Sequence, residues 1–144
     1  MIGLDTDVLI RYITQADPVQ SAKATAWMEG RLTPENPGFI SVVAMAEAAW
    51  VLKRSYGLAD QEIAATIERL LQADVLVIES EQQVFASMVA LKESQGSFAD
   101  ALIAALGTKA GCSGTLTFDH KALRLRGLGI PRSFRERGLA GTCA

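Results

Sequence analysis

The sequence predicts an α/β sandwich, a mainly parallel central sheet covered by helices on both faces, on three observations. Short apolar runs of strand length at 2–4, 39–40, 75–78 and 115–118 alternate with longer stretches of helical periodicity. No hairpin signal joins any two of these runs, which favours crossovers through helices and hence parallel strands. The run Val75-Leu76-Val77-Ile78 is apolar at every position, as expected of a strand buried on both faces of a parallel sheet. A chain of 144 residues can bury one real core, and the expectation is a single domain over 1–138 with a flexible tail over 139–144.

The elements follow in order. After the strand at 2–4, Val8, Leu9, Ile10 and Ile13 give a helix from about 7 to 13, broken by Ala16-Asp17-Pro18. Pro18 suits the first turn of a second helix reaching about 31, and Pro34-Glu35-Asn36-Pro37-Gly38 is a loop. Past the strand at 39–40, Ser41 fits the N-cap of a third helix that ends near Tyr56-Gly57, where glycine can take the left-handed conformation. Asp60 then suits the cap of a fourth helix carrying Ile63, Ile67, Leu70 and Leu71. Helices over about 81–93 and 98–110 complete the pattern before the strand at 115–118. There is no internal repeat or low-complexity tract.

Composition excludes several classes. Every apolar stretch is interrupted by charge well short of a membrane span, and the N-terminus lacks the basic and apolar segments of a signal peptide, so the expected location is the cytoplasm. Two cysteines, Cys112 and Cys143, and one histidine cannot build a disulfide framework or a thiolate zinc site. Charge is unevenly placed: residues 1–120 hold 8 Lys and Arg against 15 Asp and Glu, whereas from Lys121 onward six basic residues face Glu136 alone. Lys121, Arg124 and Arg126 are therefore candidate phosphate contacts, the alternative being a solvated basic tail.

Four carboxylates stand out. Glu47 has Val43, Ala44, Trp50 and Val51 at i−4, i−3, i+3 and i+4, so its charge leaves an apolar helical surface and calls for a cation or a salt bridge, for instance to Arg11. Asp5 and Asp119 each follow a strand, where open parallel sheets place their ligands, although an acid there can also cap a helix or close an Asx turn. Asp100, in Ser97-Phe98-Ala99-Asp100, fits a capping box on its own. Taken as a set, acids held together repel one another unless a cation neutralises them, and Mg²⁺ or Mn²⁺ is the natural counterion for oxygen ligands. Such ions activate water and stabilise the charge that develops in phosphodiester cleavage. Asp7 is a candidate fifth acid, and His120, beside Asp119, is read as a loop residue.

Ile2-Gly-Leu-Asp5-Thr6-Asp7-Val8, Ala46-Glu47-Ala-Ala-Trp50-Val-Leu52, Phe98-Ala-Asp100-Ala-Leu102 and Leu116-Thr117-Phe118-Asp119 together resemble the PIN-domain nucleases, and particularly the VapC toxins of bacterial toxin–antitoxin pairs. The resemblance implies a PIN-like three-layer sandwich and Mg²⁺- or Mn²⁺-dependent endonucleolytic cleavage of RNA, often structured RNA such as transfer RNA. It also implies a homodimer and a VapB-like antitoxin. Asp5, Glu47, Asp100 and Asp119 would be the metal-binding acids, and Thr117 the hydroxyl that orders water at the metal. Asp7 replaces an asparagine common in that family. The segment after Asp119 is basic where some members carry further acids, which bears on a second metal.

Two other functions compete. Asp5-Thr6-Asp7-Val8 also fits the first motif of haloacid dehalogenase phosphatases, but no later lysine motif or paired-acid loop follows it. A non-catalytic interaction domain keeping the same fold would use its acids only as caps and salt bridges.

Overall fold

The computed structural model describes residues 1–119, 121, 122 and 125. Its elements are β1 (Ile2–Gly3), α1 (Thr6–Thr14), α2 (Pro18–Gly30), β2 (Gly38–Ile40), α3 (Val42–Arg54), α4 (Asp60–Gln72), β3 (Leu76–Ile78), α5 (Glu81–Lys92) and α6 (Phe98–Lys109). The strands form one parallel sheet in the order β1-β2-β3, with Gly38 paired to Ile2 on one side and to Leu76 on the other. The α/β class and the parallel pairing expected from the sequence are both present, each strand being reached from the last through two helices.

Local chemistry sets most of the boundaries. Asp17 accepts from the Val19 and Gln20 N–H groups at 3.0 and 2.8 Å, and Pro18 opens α2, where its missing N–H costs nothing. Ser41 Oγ accepts from Ala44 N at 3.1 Å and starts α3. That helix closes as Gly57, at φ 64°, donates to Lys53 O and Leu58 donates to Leu52 O. Asp60 is not the cap of α4. Ala59 occupies that position and its N–H is taken by Glu62, while Asp60 pairs instead with Lys53 at 2.9 Å.

The core lies between the helices and the sheet, with Leu9, Ile40, Met45, Leu52, Ile63, Val84 and Met88 all removed from solvent. α3 contributes a stripe of small residues, Ala44, Ala48 and Ala49, which lets its neighbours approach closely. A Cβ at Gly38 would stand 2.7 Å from Leu4 Cδ1 and 2.9 Å from Leu32 Cδ1, so both leucines would have to shift to admit one.

Two strand expectations change. Among the described residues β3 pairs with β2 alone, and Val77 is 41% exposed instead of buried on both faces. Residues 115–118 do not form a full strand; only Thr115 makes a bridge, and Phe118 is 98% exposed. The reason is local competition, because Thr117 Oγ1 takes the Asp119 N–H at 3.0 Å and bends the chain into a turn. His120, Arg124, Arg126, the domain limit at 138 and the tail over 139–144 fall outside the described residues.

One helix contact carries a pH signature. Tyr12 on α1 donates to Glu29 Oε1 on α2 at 3.0 Å, and burial, then the hydrogen bond and charge of Glu29, raise its pKa above the ordinary 10.0. A raised pKa favours the neutral phenol in the folded state, so this contribution to stability is complete below pH 10 and lost as pH climbs through the raised value. In a Tyr56→Phe background, tyrosinate absorbance should report a midpoint above 10 that Glu29→Gln moves down. An unmoved midpoint would show that Glu29 has no part in it.

Candidate active site

The four acids come from four different settings. Asp5 follows β1 and is the N-cap residue of α1, with φ −78° and ψ 158°, yet its side chain makes no cap hydrogen bond. The carboxylate is therefore not consumed by the helix it precedes. Asp100 is similar. Ser97 Oγ accepts from Asp100 N at 3.1 Å, but the Asp100 carboxylate does not complete a capping box, so only half of that expected motif is present.

Glu47 differs from its sequence reading. Its inner neighbour Ala44 is buried, but Val43 is 71% and Trp50 60% exposed, and Glu47 itself faces solvent. The cause is that α3 has apolar residues on both sides: Ala44, Met45, Ala48 and Leu52 face the core, while Val43, Glu47, Trp50 and Arg54 form an outer stripe. No buried charge demands compensation here, and Arg11 is not its partner, since Arg11 Nε donates to Gln20 Oε1 at 2.7 Å. What holds Glu47 is Thr6. This hydroxyl, on a residue 6% exposed, donates to Glu47 Oε2 at 3.1 Å and draws the carboxylate of α3 to the first turn of α1, next to Asp5.

α3 packs against α1 on one side and α6 on the other, which makes it the element joining the neighbourhood of Asp5 to that of Asp100. Asp119 is in a turn in which its Oδ1 accepts from Lys121 N at 2.9 Å. The turn rests on α6: Ala122 and Leu125 form a small apolar cluster with Ala101, the residue after Asp100. Asp7 is exposed on the first turn of α1, and Lys121 is exposed beyond the turn. Thr117 serves the turn through Asp119 N.

Sequence reasoning missed two residues. Thr6 had a signal, a hydroxyl flanked by two acids, but its burial was not visible. Glu79 follows β3 and so obeys the same strand-end rule that singled out Asp5 and Asp119; its Oε2 accepts from Val42 N at 2.8 Å and fixes the start of α3. A cavity of about 520 Å³, lined by Tyr12, Glu29, Arg69 and Leu76 among others, holds none of the four acids, and its arginine is tied to Thr66.

A model of the PIN domain matches residues 2–128. The chain belongs to the PIN-domain family. No curated protein and no solved structure matches it. PIN domains are typically nucleases, and PIN-domain nucleases generally use divalent metal ions. The matched span takes in all four acids and also Asp5-Thr6-Asp7, the segment on which the phosphatase alternative rested. The PIN-domain acids of this chain are hard oxygen donors, the chemistry such an ion requires. Among the described residues no three Asp, Glu, His or Cys side chains stand close enough to hold a metal, so only the donor type fits here. No helix of the described residues is long and apolar enough to cross a membrane.

Thr6 offers a direct test of the PIN-domain site. Thr6→Val keeps the shape of the side chain and removes the donor to Glu47. Residues that orient metal ligands typically contribute 10–100-fold, so any nuclease activity that depends on Glu47 should fall by roughly that factor, and Thr6→Ser should restore most of it. Wild-type rates in Thr6→Val would release Glu47 from this contact.

Proposed function

We propose that this PIN-domain chain is a divalent-metal-dependent endoribonuclease acting as the toxin of a toxin–antitoxin pair. Asp5, Glu47, Asp100 and Asp119 would hold Mg²⁺ or Mn²⁺. The observation that carries the reading is that Asp5 stands where a helix cap would stand and caps nothing, while Glu47 reaches the same turn through Thr6. A bound divalent ion supplies charge neutralisation and an acidified water for attack on the phosphodiester. The chain's own residues do the rest. Thr6 orients Glu47, Glu79 sets the start of the helix that presents it, and the Thr117 and Lys121 contacts fix the turn that presents Asp119. The likeness to VapC toxins supports RNA as substrate, including structured RNA such as transfer RNA, and supports a homodimer held in check by a VapB-like antitoxin.

The test is cleavage of RNA transcripts by the purified protein with Mg²⁺, with Mn²⁺ and with EDTA. Scission confined to the metal-containing reactions is expected, and undiminished scission in EDTA overturns the reading. Hydrolysis of small phosphomonoesters with RNA left intact would favour the phosphatase. No hydrolysis and no calorimetric ion binding would favour the interaction domain.

A further inference from the structure

Beside Asp5 lies a second cavity, of about 380 Å³, between β1, α1 and α2. Its walls include Leu4, Val8 and Trp27, and its polar lining includes Asp7, Arg11 and Lys23. That volume falls within the roughly 300–1,000 Å³ of small-ligand sites, which combine apolar and aromatic walls with a few polar groups. Trp27 is exposed, at 38%, and the Arg31 guanidinium sits over its ring at 4.6 Å from the centroid. Arg11, Lys23 and Arg31 are thus three of only eight basic residues among positions 1–120, gathered where the chain is otherwise acidic.

We infer that this cavity seats an unpaired nucleobase of the RNA substrate, stacked on Trp27, with Arg11, Lys23 and Arg31 holding the flanking phosphates and Asp7 accepting from the base edge. This rests on the nuclease reading above. Stacking on aromatic rings and on arginine planes is how proteins take single-stranded RNA, and phosphates bring the negative charge that three clustered cations favour. A carboxylate contributes what neither feature can, an acceptor that favours a base edge with two adjacent N–H donors, as guanine presents at its ring N1–H and amino group, over edges that offer one. Asp7 thereby acts on which RNA is cut, and Asp5, two residues earlier, on the cutting. Arg11 is already oriented by its 2.7 Å bond to Gln20 Oε1, so the cationic rim is braced across α1 and α2.

The test uses Asp119→Asn protein in a Trp50→Phe background, so that Trp27 is the sole fluorophore of its kind. It is titrated with single-stranded octamers of each ribonucleotide and with inorganic polyphosphate. Octamers should quench Trp27 and polyphosphate should not. Read instead by the anisotropy of a labelled octamer, binding should weaken about tenfold or more in Trp27→Leu, which keeps apolar bulk without a stacking face, and much less in Trp27→Phe. In the cleaving protein, Lys23→Gln should raise KM with little change in kcat, and Asp7→Asn should reorder the preference among octamers. Tight octamer binding by Trp27→Leu with wild-type preferences in Asp7→Asn overturns the assignment, as does equal loss for octamers and polyphosphate. Quenching by a protein partner, with octamers silent while RNA is still cut, would give the cavity to that partner instead. If neither RNA binding nor cleavage is found, the nuclease reading itself falls.

Discussion

Asp5→Asn, Glu47→Gln, Asp100→Asn and Asp119→Asn should each lower RNA cleavage at saturating Mg²⁺ by at least about a hundredfold if these acids hold the metal as proposed, since even residues that merely support metal ligands contribute 10–100-fold. The folded state should survive all four. The Asp5 and Asp100 side chains cap no helix, and Glu47 faces solvent, so none of these acids secures the core. Such surface changes usually stay within about 0.5 kcal/mol. Asp119 accepts a backbone bond from Lys121, and asparagine keeps that acceptor. Initial rates paired with thermal melts check both halves, and any variant within a few-fold of wild type leaves the site.

Leu52→Ala should have the opposite profile. Leu52 is 1% exposed on the inner stripe of α3, and truncating such a leucine costs about 2–5 kcal/mol through lost burial and the cavity left behind. Tm should drop by on the order of 10 °C. Urea unfolding should show a lower midpoint with an unchanged slope. Val43→Ala, on the outer stripe of the same helix, should change stability by no more than about 0.5 kcal/mol. If the two variants were equally destabilised, the orientation of α3 described here would be wrong.

Much of the fold was legible because its signals are local. Asp17-Pro18, Ser41 and Gly57 announce helix ends through groups acting within four residues. The failures at Val77 and at 115–118 concern which strands have neighbours, and sheet order depends on distant pairing that a local run cannot encode. For the proposed site, strand-end position singled out Asp5 and Asp119 and the family pattern added Asp100, but the argument for Glu47 rested on a burial that does not exist. Apolar neighbours at i±3 and i±4 signify a buried face only when the helix has one apolar side, and α3 has two. The Thr6 contact spans 41 residues and no sequence window could reveal it.

The bond from Val42 N to Glu79 spans 37 residues and has a consequence for how the chain folds. Until the end of β3 has docked, that amide has only water as a partner, so the start of the helix bearing Glu47 gains a bond when the sheet closes. Native-state hydrogen exchange at Val42 should then follow the opening of β3, not the fraying of an isolated helix end, which would make organisation of the acidic site and closure of the sheet a single cooperative event.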